Sequence, residues 1–340
     1  MVGQDKTHSR IEQIRERKRI TLGYRVDASP ISFVLTVPTQ GSQVTQGKAP
    51  ADAAQAPPET QQVAGYAVDI CLDVVADLRK VLGVPDLAVT WREVSSSNRM
   101  DLVLQGEVDL ECGVTSSNKE RRERVGFSMP YYMASVKMMV LNLESDEDKI
   151  RRSMAQTQEA ALRDARSGRT SKIPGAEKPF VPGVHNINDI KGKRVAMIAN
   201  TAAIRTVQRL NRERVLGLRI QEYPSIEAAS KALVNRAAEA FIADDITLLS
   251  FKQDVAQNNQ VLIVGDSLAV EPMAIMMPKD DALLAAVNTS MMQSINSGRL
   301  NSLYQKWFMS PIPPKQGNLN LPPSALLKEL FRMPTDVLGN

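Results

Sequence analysis

The stretch Asp109-Leu110-Glu111-Cys112-Gly113-Val114-Thr115-Ser116-Ser117-Asn118-Lys119-Glu120-Arg121 changes character halfway along. Val108 to Val114 has the pattern of a buried strand, whereas everything from Thr115 to Arg121 is polar or charged. A strand that ends in hydroxyls, an amide and an arginine suits an α/β sheet, where polar residues collect beyond the carboxyl ends of the strands. The same arrangement recurs on both sides. Ile20 to Val26 is a strand carrying Arg25 near its end. Ser95-Ser96-Ser97-Asn98-Arg99 precedes a helix, as does Asn200-Thr201, and Asp244-Asp245 follows the strand Glu239 to Ala243.

Between these junctions the alternation is regular. Residues 8–19 read as a helix, Ile31 to Val37 as a strand, Gly65 to Leu82 as an amphipathic helix opened by glycine, and Leu87 to Val94 as a strand. Asn98 to Gln105 is a short helix closed by Gly106. A second run gives strands at Lys193 to Ile198, Leu218 to Glu222, Val261 to Val264 and Met273 to Met277. It gives helices at Ala202 to Glu213, Ser225 to Ala237 with Ser225 as N-cap, Asp280 to Asn296 and Leu300 to Phe308, then a last short helix near Ala325 to Phe331. This is an α/β chain of two similar-sized units with mainly parallel strands. Two segments break the rhythm. Residues 38–62 are rich in Gln, Ala, Pro, Thr and Gly and read as a long mobile, dispensable loop. Residues 145–183 read as a charged insertion, helical in part.

Composition excludes several functions. The 340 residues allow two domains with real cores, and 43% hydrophobic and 24% charged residues are ordinary for a globular protein. Aromatics at 4% argue against base stacking. A net charge of +4, with the basic residues spread out, does not call for nucleic acid. The densest cluster, Arg15-Glu16-Arg17-Lys18-Arg19, reads as a solvated helix face. No apolar run approaches the roughly 20 residues of a membrane span, and the N-terminus lacks the apolar core of a signal peptide. His8 and His185 do not suggest a metal site. Cys71 and Cys112 show no metal spacing and are expected to be unbonded, buried small hydrophobes.

No nucleophile elbow, phosphate loop, zinc motif or dinucleotide fingerprint is present. The chemistry therefore lies in the junctions. Helix N-termini favour anions, arginine forks hold carboxylates, and an acid after a strand suits an ammonium group. Any one junction alone is better explained as a helix cap or a surface ion pair. The set of five together describes a zwitterion receptor.

The quoted stretch, continued by Phe127-Ser128, resembles the signature of periplasmic glutamate/aspartate-binding proteins of amino-acid ABC importers. So do Ser97-Asn98-Arg99, Asp189-Ile190-Lys191-Gly192-Lys193, Asp244-Asp245 and Lys306-Trp307-Phe308-Met309-Ser310-Pro311-Ile312-Pro313-Pro314-Lys315. The resemblance covers nearly the whole chain outside the two insertions. It implies a two-lobed type II periplasmic-binding-protein fold with two hinge strands, at Val136 to Asn142 and Val270 to Met277. Lobe I would span 1–137 and 275–340, and lobe II 138–274. It implies an amino acid held between the lobes, without cofactor or metal, by a monomer that serves a membrane ABC permease. It also implies a periplasmic location, in the mature form without its signal peptide.

Carried over residue by residue, the resemblance gives the α-carboxylate to Arg121, Ser116 and the backbone around Thr201 and Ala202. The α-ammonium goes to Asp244, and the side-chain carboxylate to Arg25 and Arg99, which have no other assigned partner. Ser96 and Val114 complete the expected lining. Three positions depart from the family: Val114 stands for a serine, Ala202 for a threonine and Ile226 for a histidine near the ligand's side-chain end. Two rival readings use the same fold. One is a dehydratase with Glu111 and Asp244 as acid and base, and the other is a ligand sensor that uses residues 145–183 as its interface.

Overall fold

Two long antiparallel strands set the layout. The computed structural model describes residues 9–38, 59–142, 184–254, 261–313 and 317–335. Helix α1 (Arg10–Arg17) and strand β1 (Arg19–Tyr24) are followed by β2 (Asp27–Ala28), β3 (Ser32–Pro38), β4 (Glu59–Ala64) and α2 (Tyr66–Leu82). Next come β5 (Ala88–Glu93), α3 (Arg99–Leu104), β6 (Leu110–Glu111), α4 (Lys119–Arg124) and the long β7 (Gly126–Leu141). After a 3-10 turn at Ile187–Ile190 the chain forms β8 (Arg194–Ile198), α5 (Ala202–Glu213), β9 (Arg219–Tyr223) and α6 (Ile226–Val234). It continues with β10 (Ala240–Asp244), α7 (Asp245–Asp254) and the second long strand β11 (Val261–Met277), and closes with α8 (Asp281–Asn296), α9 (Arg299–Phe308) and α10 (Ala325–Arg332).

Among the described residues, eight strands form one mixed sheet in the order β5-β1-β6-β11-β7-β10-β8-β9, and β2, β3 and β4 form a small second sheet. β1 runs parallel to β5 and β6, and β8 runs parallel to β9 and β10. β7 and β11 pair antiparallel from Gly126 opposite Met277 to Leu141 opposite Val261. β6 joins this pair near Met276, whereas β10 joins it with Asp244 opposite Val136. The two sets of strands thus run in opposite senses, and their carboxyl ends face each other over the middle of β7 and β11. The chemistry-bearing junctions lie there.

Local signals explain the helices. Gly65 enters α2 at φ 136, and Gly83 closes it at φ 65, both conformations open to glycine. The Ser225 hydroxyl accepts the Ala228 N–H at 3.1 Å, and the Asp280 carboxylate accepts the Leu283 N–H at 2.7 Å, as N-caps do. The C-terminal helices dock through aromatics. Tyr66 meets Phe308 edge-on at 5.1 Å, Tyr304 stacks on Phe308 at 4.2 Å, and Phe33 meets Trp307 at 5.7 Å. The Trp307 indole donates to Asp69 at 2.8 Å.

Five sequence expectations are revised. Residues 38–62 are not wholly loop, because Pro38 ends β3 and Glu59 to Gln62 belong to β4, with Gln62 opposite Leu35. A backbone ladder holds this segment, which a polar composition does not reveal; residues 39–58 lie outside the described residues. The strand at Val136 to Asn142 begins ten positions earlier, at Gly126, and the two strands read at 261–264 and 273–277 are one. The expected strand from Val108 to Val114 is only Leu110–Glu111. Arg17 is not part of a solvated face. It and Arg10 (Nε to Oδ1, 2.6 Å) pair with the fully buried Asp109, which also accepts the Thr21 N–H at 2.7 Å. The insertion at 145–183 lies outside the described residues.

The cysteines are also corrected. Cys71 and Cys112 form a disulfide, with their Cα atoms 6.3 Å apart. Helix α2 turns Ile70, Cys71, Val74 and Val75 into the core shared with Leu110 and Cys112, so the pair falls inside the roughly 4.4–6.8 Å window that a bridge requires.

Candidate functional site

The site is assembled from the ends of β1, β6, β8 and β10. Arg121 sits in the first turn of α4, where the Asn118 side chain accepts its N–H at 3.0 Å. Its guanidinium is buried and donates Nη1–H to the Ser116 carbonyl at 2.7 Å and Nη2–H to the Asn200 carbonyl at 3.0 Å. The second bond joins the two halves of the sheet, because Asn200 follows β8. Beside it Glu120 and Arg205 of α5 form an ion pair across the same gap.

Arg99 opens α3, is buried, and donates Nη1–H to the Val114 carbonyl at 3.0 Å. Burial pulls its pKa down to about 10; Glu111 and Asp244 oppose that fall, while Arg121 and Arg25 add to it. One guanidinium thus feels two other arginines and two carboxylates at once. Arg25 is buried as well, but it is not without a partner as the sequence reading had it. Nε and Nη2 both donate to Asp27 Oδ1, at 3.0 and 2.7 Å. Asp27 lies two residues further on, where the chain turns into β2.

The acids are equally constrained. Asp244 ends β10, and burial raises its pKa, with Glu271 and Asp245 adding to the rise and Arg99 and Arg121 opposing it. Glu271 lies on β11 and accepts the Ser116 hydroxyl at 2.7 Å. Glu111 is completely buried, and among the described residues neither of its carboxylate oxygens has a hydrogen-bond partner. Burial raises its pKa, and Arg99 is the charge that most restrains the rise.

Gly113 makes room for Glu111. A Cβ at position 113 would meet the Glu111 carboxylate inside van der Waals contact and Arg25 Cγ at 3.0 Å. Neither neighbour can swing into solvent. Gly113→Ala is expected to destabilise the fold by roughly 1–3 kcal/mol, the usual cost of overpacking. Urea unfolding of both proteins checks this, and a shift within measurement error would refute it.

The remaining candidates fall into place as follows. Thr201 is the N-cap residue of α5, but its hydroxyl donates to the Ile198 carbonyl at 2.8 Å and caps no helix N–H. The first turn of α5, beginning at Ala202, therefore keeps its amide donors for another acceptor. The Ser96, Thr115 and Ser117 hydroxyls are buried without a hydrogen-bond partner among the described residues. Ser96, Arg99, Arg121 and Thr201 line one cavity of about 590 Å³, and Ser116, Ala202, Arg205 and Glu271 line its neighbour of about 570 Å³. Val114 contributes its carbonyl and packs against the core. Ile226 packs against a core cluster of the second half with Ala229 and Leu233, and it lines neither cavity. Sequence reasoning missed Glu271 and Arg205. Neither carries a motif, and each reaches the site through the fold.

Two opposed α/β halves, joined by long strands and facing each other across a charged cleft, define the type II periplasmic-binding-protein fold. A mutant of ArgBP from T. maritima superposes with a TM-score of 0.60 at 19% identity, over 88% of this chain and 98% of that one. The model of bacterial extracellular solute-binding proteins, family 3, matches residues 45–310, and the chain belongs to that family. It is extracytoplasmic with it. The chain is 28% identical to the L-glutamate/L-aspartate-binding protein of Pseudomonas aeruginosa over 333 residues, covering 98% of this chain and 90% of the relative. It is 27% identical to the glutamate/aspartate import solute-binding protein of Salmonella typhimurium over 277 residues, 81% of this chain and 79% of the relative. These relatives are binding proteins and support binding rather than the dehydratase reading.

Proposed function

We propose that the protein captures an acidic amino acid, glutamate or aspartate, between its lobes in the periplasm and hands it to a membrane ABC permease. It acts as a monomer, without nucleic acid, in its mature form. Lobe I comprises 1–137 and 275–340, and lobe II comprises 138–274. The observation that carries the reading is that the buried guanidiniums of Arg99 and Arg121 line one cavity at the opposed strand ends, where the charges of Arg25 and Asp244 also act on Arg99. Arg121, Ser116 and the open N-terminus of α5 take the α-carboxylate. Asp244 takes the α-ammonium. Arg99 leads on the side-chain carboxylate, because Arg25 already spends two donors on Asp27. Val114 and Ala202 leave backbone groups where relatives offer hydroxyls, and Ile226 offers packing alone. A ligand that touches both halves stabilises the closed arrangement by its differential affinity.

Calorimetric titration of glutamate, aspartate, glutamine and asparagine tests the reading. The acids are expected to bind more tightly than the amides. Arg99→Ala is expected to cost an acid about 2 kcal/mol more than its amide, the difference between a charge-assisted and a neutral hydrogen bond with its pairing. If the amides bind wild type more tightly than the acids, the side-chain carboxylate assignment fails.

A further inference from the structure

Ser116 has one proton to donate. It gives that proton to Glu271 Oε2 at 2.7 Å. A ligand carboxylate that is to receive the Ser116 hydroxyl must therefore take it from Glu271. We infer that Glu271 is a resident competitor for the α-carboxylate seat, holding Ser116 beside Arg121 until a ligand displaces it. This rests on the assignment of that seat to Ser116 and Arg121.

Three further observations support the competition. Glu271 is 8% exposed, so its carboxylate has little water to satisfy it if it leaves Ser116. Among the charges acting on Arg121, Glu271 is the strongest, ahead of Glu111 and Asp244. Arg205 of α5 lines the same cavity and its charge also acts on Glu271, so a displaced carboxylate has a second cation to turn to. The position on the chain gives the displacement a consequence. Glu271 faces Ala134 on β7, between the register shift at Val264/Ala269 and those after Met273. It stands on one of the two strands that join the lobes, and the adjacent Pro272 carbonyl accepts the Ser117 N–H at 2.7 Å. A change of partner at Glu271 therefore acts directly on the strand about which the lobes move.

The test uses the full-length protein with two probes, glutamate by calorimetry and sodium acetate by thermal shift. Glu271→Gln keeps the size of the side chain but turns a charge-assisted acceptor into a neutral one. It is expected to bind glutamate roughly ten-fold more tightly than wild type. The gain should vanish in the Ser116→Ala background. A gain that persists there means Glu271 acts only through its field, and unchanged or weaker binding means it does not compete; either result overturns the inference. Acetate reads the seat independently of the ligand's identity. It should raise the melting temperature of Glu271→Ala, whose Ser116 hydroxyl has lost its acceptor, and leave wild type and Ser116→Ala/Glu271→Ala unmoved. If wild type binds no glutamate, the ligand assignment has failed, and the acetate result alone decides on the seat: no stabilisation of Glu271→Ala removes it.

Discussion

Arg121→Ala is expected to lower the affinity for an acidic amino acid a hundred-fold or more. Removing one member of a buried charge pair at a binding interface costs about 2–5 kcal/mol, and about 2.7 kcal/mol is a factor of one hundred. Arg121 lies at the upper end of that range for two reasons. It is a guanidinium that touches both halves, through the Ser116 and Asn200 carbonyls, so its loss removes the proposed ligand contact and a contact between the halves together. It also balances charge, since Glu271, Glu111 and Asp244 all act on it. Without it three acids face the proposed ligand of net charge −1 with Arg99, the Asp27-bound Arg25 and the Glu120-paired Arg205. Arg121→Lys separates the two effects. The ammonium keeps the charge but not the planar fork, so it should recover thermal stability while leaving most of the affinity loss. Calorimetry and differential scanning calorimetry on the three proteins measure this. Binding by Arg121→Ala within about three-fold of wild type would sink the assignment of the α-carboxylate to this residue.

The capped helices were legible because their limits are local chemistry, whereas α4 and α7 were not read as helices. Ser225, Asp280, Gly65 and Gly83 all cap where their side chains or lack of one allow. The long strands were only partly legible. Pro130 and Pro272 interrupt β7 and β11, and a proline normally argues against a central strand. Here both sit near shifts of register, Pro130 opposite Ala274 and Pro272 opposite Met133, where the ladder is already irregular. The arginines of the cleft were legible because strand and helix ends gather them. Their countercharges were not. Asp27 binds Arg25 across a turn, Glu271 reaches Ser116 from 155 residues away, and Glu111 is enclosed beside Arg99. Such pairings depend on which side chains the tertiary fold brings together, and no local pattern encodes them.

The cysteine pair offers the second large effect. Replacing both Cys71 and Cys112 by alanine is expected to destabilise the protein by about 4 kcal/mol, the loop-closure entropy of a crosslink spanning about 40 residues. The bridge closes a separation of 41 residues. Both sulfurs are fully buried in the core around α2, so no solvent exposure favours their reduction. A bridge of this kind persists where the surroundings are oxidising, which agrees with an extracytoplasmic chain. Its position adds a functional consequence. Cys112 immediately precedes Gly113, and the segment from there to Arg121 carries the seat of the proposed ligand. Anchored to α2, that segment presents Val114, Ser116 and Arg121 from a fixed base; released, it can drift relative to Arg99 and Asp244. The double variant should melt roughly 5–10 °C below wild type, and its affinity should fall while its stoichiometry stays the same. Scanning calorimetry of the oxidised protein and the variant, with thiol counting under denaturing conditions to verify the starting state, decides the matter. Two free thiols in the oxidised preparation, or equal melting temperatures, would show that the bridge plays no part in holding the cleft.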